Sequence, residues 1–164
     1  MPPDRVQPVP PKPGQAISAT GYANLDRLLG AAVSAWPNHA KFLRSSLAGY
    51  DAADLLLIED LAARVCRLAG AELDAYGATY RWMGCEMNKE ALHFKKHGAY
   101  RLSSFREADA QVYSNSAFMR RYMEGLLVSQ VFWRNHSAAF IFFQNSFLPR
   151  LKNPFRYLEI GPGH

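Results

Sequence analysis

Leu158-Glu159-Ile160-Gly161-Pro162-Gly163-His164 joins an apolar run, an acidic residue and two glycines in Gly-x-Gly spacing. Residues 155–160, Phe-Arg-Tyr-Leu-Glu-Ile, read as a buried strand that hands over to a tight turn at the edge of a helix. Glycine fits such a turn because it lacks the Cβ that restricts backbone angles. Asn153-Pro154 ahead of the run is a breaker that separates it from everything upstream.

Upstream, the spacing is helical. Leu25, Leu28, Leu29, Ala32, Val33 and Trp36 share one face of a helix beginning near Ala23. Pro37 interrupts it or starts the next helix, which runs through Phe42, Leu43 and Leu47 towards Gly49. Asp51 or Asp54 caps a third helix that ends near Gly70, and a fourth helical stretch covers about 72–94. Ser104-Phe105-Arg106-Glu107 has capping-box spacing. Ser114 or Ser116 caps a long helical region from about 116 to 147, with an apolar face that includes Phe118, Tyr122, Leu126 and Phe132. Between these helices, residues 92–102 place apolar residues at alternating positions on either side of Gly98, which predicts a small β-hairpin. Residues 1–15 hold most of the prolines and read as a disordered leader. The expected organisation is this leader, a helical domain over 16–150, and a new unit opening at 151–164.

Length and composition fit one ordinary globular domain. The chain has 164 residues, 49% hydrophobic and 20% charged, with a net charge of +5. That charge permits an anionic partner without demanding one. No apolar stretch approaches a membrane span, and Met1-Pro2-Pro3-Asp4 opens no signal-peptide core. Cys66 and Cys85 are too few for a disulfide framework, which predicts reduced thiols and a cytoplasmic location.

Glu159-Ile160-Gly161-Pro162-Gly163, behind its apolar run, resembles motif I of class I S-adenosylmethionine-dependent methyltransferases. The resemblance implies a mainly α chain whose helical front domain leads into the first strand of a truncated Rossmann-like domain. It also implies S-adenosylmethionine as cofactor and a small molecule as methyl acceptor. Gly161 and Gly163 would line the turn beneath the cofactor, and Glu159 would position its amino end, directly or through water. The third glycine of the motif would fall on the residue after His164, and the acid that binds the ribose is missing. These 164 residues alone are therefore expected to be inactive. His97-Gly98-Ala99-Tyr100-Arg101-Leu102-Ser103 is similar to the wing of the winged-helix domain that precedes the catalytic domain in many O-methyltransferases, which implies a homodimer.

In related methyltransferases the helix before the first strand lies over the cofactor. In this chain it offers Gln130 and Trp133 as cofactor contacts, Asn135, and His136 as a general base, since imidazole titrates near neutrality. Core packing for Trp133 and a hydrogen-bonding role for His136 are the competing roles. Two other functions stay open: a helical dimerisation or interaction module without catalysis, and a winged-helix nucleic-acid binder using Lys89, Lys95, Lys96, Arg101 and Arg106. The helix before the wing, Tyr80-Arg81-Trp82-Met83-Gly84-Cys85-Glu86, is too apolar to read bases, which disfavours nucleic acid. No metal site is expected from His93, His97 and Cys85, for which surface or packing roles fit better. Trp36-Pro37-Asn38-His39 and Trp133-Arg134-Asn135-His136 share a pattern, but four residues do not establish a duplication.

Overall fold

The computed structural model describes residues 20–160. Among the described residues seven α-helices follow one another: α1 (Ala23–Ala35), α2 (Ala40–Leu47), α3 (Ala52–Ala69), α4 (Leu73–His97), α5 (Phe105–Ala108), α6 (Ser116–Phe132) and α7 (Arg134–Phe142). Short 3-10 turns precede α2 and α4, and π turns extend α5 to Tyr113 and α7 to Phe147. α4 is the central element, packed against α1 on one side and α6 on the other, with α3 closing the bundle over α1. The core between them is built from Leu25, Leu28, Ile58, Tyr80, Met83 and Phe132, all fully buried.

Two glycines set how closely these helices approach. A Cβ at position 77 of α4 would lie 2.5 Å from the Ala31 carbonyl oxygen of α1. At Gly125 of α6 it would lie 2.8 Å from the Thr79 carbonyl oxygen of α4. Both neighbours are backbone and have nowhere to go, so the helices pack main chain to main chain at these points.

The helix ends follow local chemistry in most places. The Asp51 carboxylate accepts from the Asp54 N–H at 2.8 Å and starts α3. Ser104 and Glu107 form the expected capping box. α6 is capped by Asn115, whose side chain accepts from the Phe118 N–H at 3.0 Å, rather than by either flanking serine. The start of α1 is satisfied from a distance. Glu59 of α3 accepts from the Asn24 and Leu25 N–H groups at 3.0 and 2.8 Å and from the Asn24 amide at 2.7 Å.

The expected hairpin is absent. α4 continues through Leu92 and Phe94 to His97, and Gly98 (φ +72°) ends it in the left-handed conformation, its N–H on the Phe94 carbonyl at 2.7 Å. The glycine read as a hairpin turn is a helix C-cap. Glu90, Ala91, Lys95 and Lys96 are good helix formers, and the cationic last turn suits the negative end of the helix dipole. With the hairpin goes the wing of the winged-helix reading. The expected terminal strand is absent as well: no strand occurs among the described residues, and Phe155–Ile160 carries no regular structure. A strand needs a neighbouring strand to satisfy its backbone groups, and among the described residues this segment meets only side chains, Tyr157 resting on Phe143 and Phe147. Leu158 and Ile160 are 82% and 89% exposed. The mainly helical part of the expected fold class stands, while its hairpin and Rossmann-like strand do not. The proline-rich leader and Gly161–His164 lie outside the described residues. No helix among the described residues is long and apolar enough to cross a membrane.

The glycine contacts predict opposite outcomes for two alanine substitutions. Gly77→Ala must push α1 off α4 and should destabilise the fold by about 1–3 kcal/mol. Gly30→Ala, on the open face of α1 with nothing within 4 Å of the added Cβ, should stabilise by about 0.5–1 kcal/mol. Urea unfolding of the two variants checks both signs.

Candidate functional site

Trp133 is the only residue between α6 and α7, ending one and starting the other (φ −89°, ψ 119°). The break turns its indole inward, where Nε1 donates to the buried Tyr80 hydroxyl at 3.1 Å. His39 Nε2 lies 3.0 Å from the same hydroxyl. Because Tyr80 already accepts from Trp133, its own proton is free for His39. The network therefore assigns His39 as a neutral ring carrying its proton on Nδ1. The His39 ring is stacked between Trp36 (centroids 3.9 Å, planes 5° apart) and Phe42 (4.5 Å). Burial holds the His39 pKa below its usual 6.5 and pushes the Tyr80 hydroxyl up to about 12.

The two Trp-x-Asn-His segments meet here. Each begins a helical turn with its tryptophan in the capping position, and each folds its histidine back beside that tryptophan. The Trp133–His136 centroids are 5.2 Å apart. Trp36, His39 and Trp133 all converge on Tyr80.

One turn into α7, His136 Nδ1 lies 3.1 Å from Ser129 Oγ and 3.4 Å from the Gln130 amide nitrogen. Ser129 spends its proton on the Leu126 carbonyl at 2.7 Å, so in the tautomer protonated at Nδ1 it accepts from His136, and the 3.4 Å approach of the Gln130 nitrogen is then not a hydrogen bond. That leaves the His136 Nε2 lone pair without a hydrogen bond among the described residues. Burial lowers the His136 pKa, and the ring is neutral near pH 7. An oriented, neutral imidazole with one free nitrogen is what a proton acceptor requires.

Beside this cluster an open groove of about 390 Å³ is lined by Phe42, Ser45 and Ser46 of α2 and by Trp133, Arg134 and Asn135. Arg134 fixes one rim. Its guanidinium donates to the Ala48 carbonyl at 2.8 Å and sits 4.5 Å from the centre of the Tyr50 ring. Tyr50 in turn bonds the buried Ser137 Oγ at 2.8 Å. The α2–α3 loop is thereby tied to the start of α7. His136 is not a wall of the groove, and Trp133 is the residue that belongs to both.

Of the residues singled out from sequence, Gln130, Trp133, Asn135 and His136 are brought together at the α6–α7 break. Glu159 is exposed and makes no hydrogen bond or ion pair among the described residues. Gly161 and Gly163 lie outside the described residues. His39, Tyr80, Ser129 and Arg134 were not singled out as site residues. The repeated Trp-x-Asn-His pattern was the one available pointer to His39. His93 and His97 stand one turn apart on α4 with ring centroids 4.4 Å apart. No set of three or more potential metal ligands occurs among the described residues.

Two outcomes follow. Tyr80→Phe removes the one hydroxyl that Trp133 and His39 share and should cost about 1–3 kcal/mol in chemical denaturation. His39 and His136 both titrate lower in the folded chain than when unfolded, so their stabilisation is complete above pH 6.5 and is lost as pH falls below it. Melting temperatures measured from pH 8 to pH 5 should drop on acidification, and less steeply in His39→Gln.

Comparison with protein-family models, with curated proteins and with solved structures gave no match.

Proposed function

We infer that this chain is the helical, acceptor-facing part of an S-adenosylmethionine-dependent methyltransferase that acts on a small molecule. The observation that carries this reading is the sequence Glu159-Ile160-Gly161-Pro162-Gly163 behind an apolar approach. Leu158 and Ile160 stand open to solvent, and an apolar segment so placed gains stability when a further domain covers it. The Glu159 carboxylate, with no partner among the described residues, is free to meet a cationic amino group.

The cofactor supplies an electrophilic methyl group on a sulfonium. The chain's own residues have the acceptor as their task. We seat it in the groove, against the Trp133 indole and within reach of the Ser45 hydroxyl and the Asn135 amide. His136, oriented by Ser129 just behind the Trp133 wall, would take the proton that an oxygen or nitrogen acceptor must lose through one bridging water. The break at Trp133 holds the wall and the base on one rigid corner, so orientation comes from the fold itself.

The reading needs ribose-binding and sheet residues that these 164 residues do not contain. Calorimetric titration of the chain alone with S-adenosylmethionine should therefore show no binding, and micromolar affinity would refute that requirement. An extended polypeptide that joins these residues to a complete cofactor-binding domain should bind the cofactor and transfer a radiolabelled methyl group. Glu159→Ala should weaken its binding without changing the melting temperature of the helical part. His136→Ala should lower turnover with the fold intact; unchanged turnover would remove His136 from the site. Absence of cofactor binding by the extended polypeptide would end the methyltransferase reading.

A further inference from the structure

α4 outruns the bundle. Its 25 residues extend about 37 Å at 1.5 Å per residue, well past the 13 residues of α1. The buried stripe Gly77, Tyr80, Met83 and Gly84 continues along the same face as Met87, Ala91 and Phe94, but there the neighbours stop. Between Met87 and Tyr100 every residue but Glu90 and His93 is exposed, Met87 at 40% and Phe94 at 44%. Beyond the Gly98 cap the chain doubles back. Tyr100 lies against Phe94 (centroids 4.7 Å), and Arg101 pairs with Glu86 and Glu90. Phe105, just beyond, is 79% exposed.

Charge concentrates on this spur. Residues 86–106 carry five Lys and Arg against two Glu, a net +3 of the chain's +5. Arg101 and Lys89 absorb both glutamates. Lys95, Lys96 and Arg106 have no ion-pair partner among the described residues. A helical overhang of this length, packed only by the returning chain at Tyr100 and Arg101, is marginal in water, and its apolar line gains by being covered.

We propose that the spur formed by residues 86–106 is a docking surface for an acidic amphipathic helix of a partner protein. Met87, Ala91 and Phe94 follow i, i+4, i+7 spacing, a single narrow line with Lys95 on one flank and Arg101, held on Glu86 and Glu90, on the other. A narrow seam between polar flanks matches a partner helix that lays down its own apolar seam. A helix that lies in a membrane surface presents a broad apolar face instead. A second copy of this chain is disfavoured by charge, because a twofold contact sets one basic spur against the other. An acidic helix satisfies both features, covering the apolar line and meeting the unpaired cations of the spur, first of all Lys95 on its flank.

The probe is a synthetic, fluorescently labelled helix of about three heptads with leucine at a and d and glutamate at e and g. Its twin carries lysine in place of every glutamate. Anisotropy titration of the full chain should show binding of the acidic helix and none of the twin. The affinity should fall about tenfold as salt is raised from about 0.05 to 0.5 M. Lys95→Gln with Lys96→Gln, and separately Met87→Gln with Phe94→Gln, should each weaken binding about tenfold. These are exposed positions, and an unchanged melting temperature shows that the variants fold. The proposal is overturned if the acidic helix fails to bind, if the twin binds equally, or if both double variants bind like the parent. It is also overturned if the chain co-sediments with phosphatidylserine vesicles while ignoring the helix, or if the spur dimerises in sedimentation velocity.

Discussion

The approach of backbone to backbone at Gly77 and Gly125 is the constraint on which the other contacts rest. With α1 and α6 drawn onto α4 at these points, the Tyr80 side chain between them has no route to solvent and must find its hydrogen bonds inside. It finds them in Trp133 and His39, from opposite ends of the chain. A wider spacing would admit water to the hydroxyl and leave the two rings without a common anchor. Close packing and the polar cluster are thus a single arrangement: the first isolates the hydroxyl, and the second satisfies it.

The α6–α7 break has a similar logic. Ser129 and His136 are seven residues apart, and an unbroken helix would place them two turns apart on one face. The single extended residue at Trp133 resets the phase. It brings the His136 ring back onto the last turn of α6 while directing the indole at Tyr80. One residue with β-region angles therefore orients two aromatic side chains and leaves Arg134 free to hold the α2–α3 loop.

Helix ends were legible wherever the signal was local. Asp51 before α3, Gly70 after it, and the Ser104–Glu107 box each bond within three or four residues of their own backbone. What failed were patterns with two physical meanings. Leu92, Phe94, Tyr100 and Leu102 alternate around a glycine, and that describes a hairpin or a helix end with a left-handed cap followed by a reversal. Helix propensity in Glu90–Lys96 decided between them. Phe155–Ile160 has strand composition, but composition supplies no neighbour to pair with. Gln130, Trp133 and His136 were legible as a group because they lie within two turns. Tyr80 was not, since its role depends on residues 41 and 53 positions away. The Glu59 cap of α1, from 35 residues downstream, is equally silent in sequence.

Two of the three tryptophans lie against a histidine ring, and the third does not. Trp36 is stacked on His39, Trp133 lies beside His136, and Trp82 sits under the Arg121 guanidinium at 4.3 Å. A protonated imidazole quenches an adjacent indole far more than a neutral one does. The chain consequently carries its own optical titration: emission from Trp36 and Trp133 reports the charge on each histidine, while Trp82 supplies a constant background against which to read it.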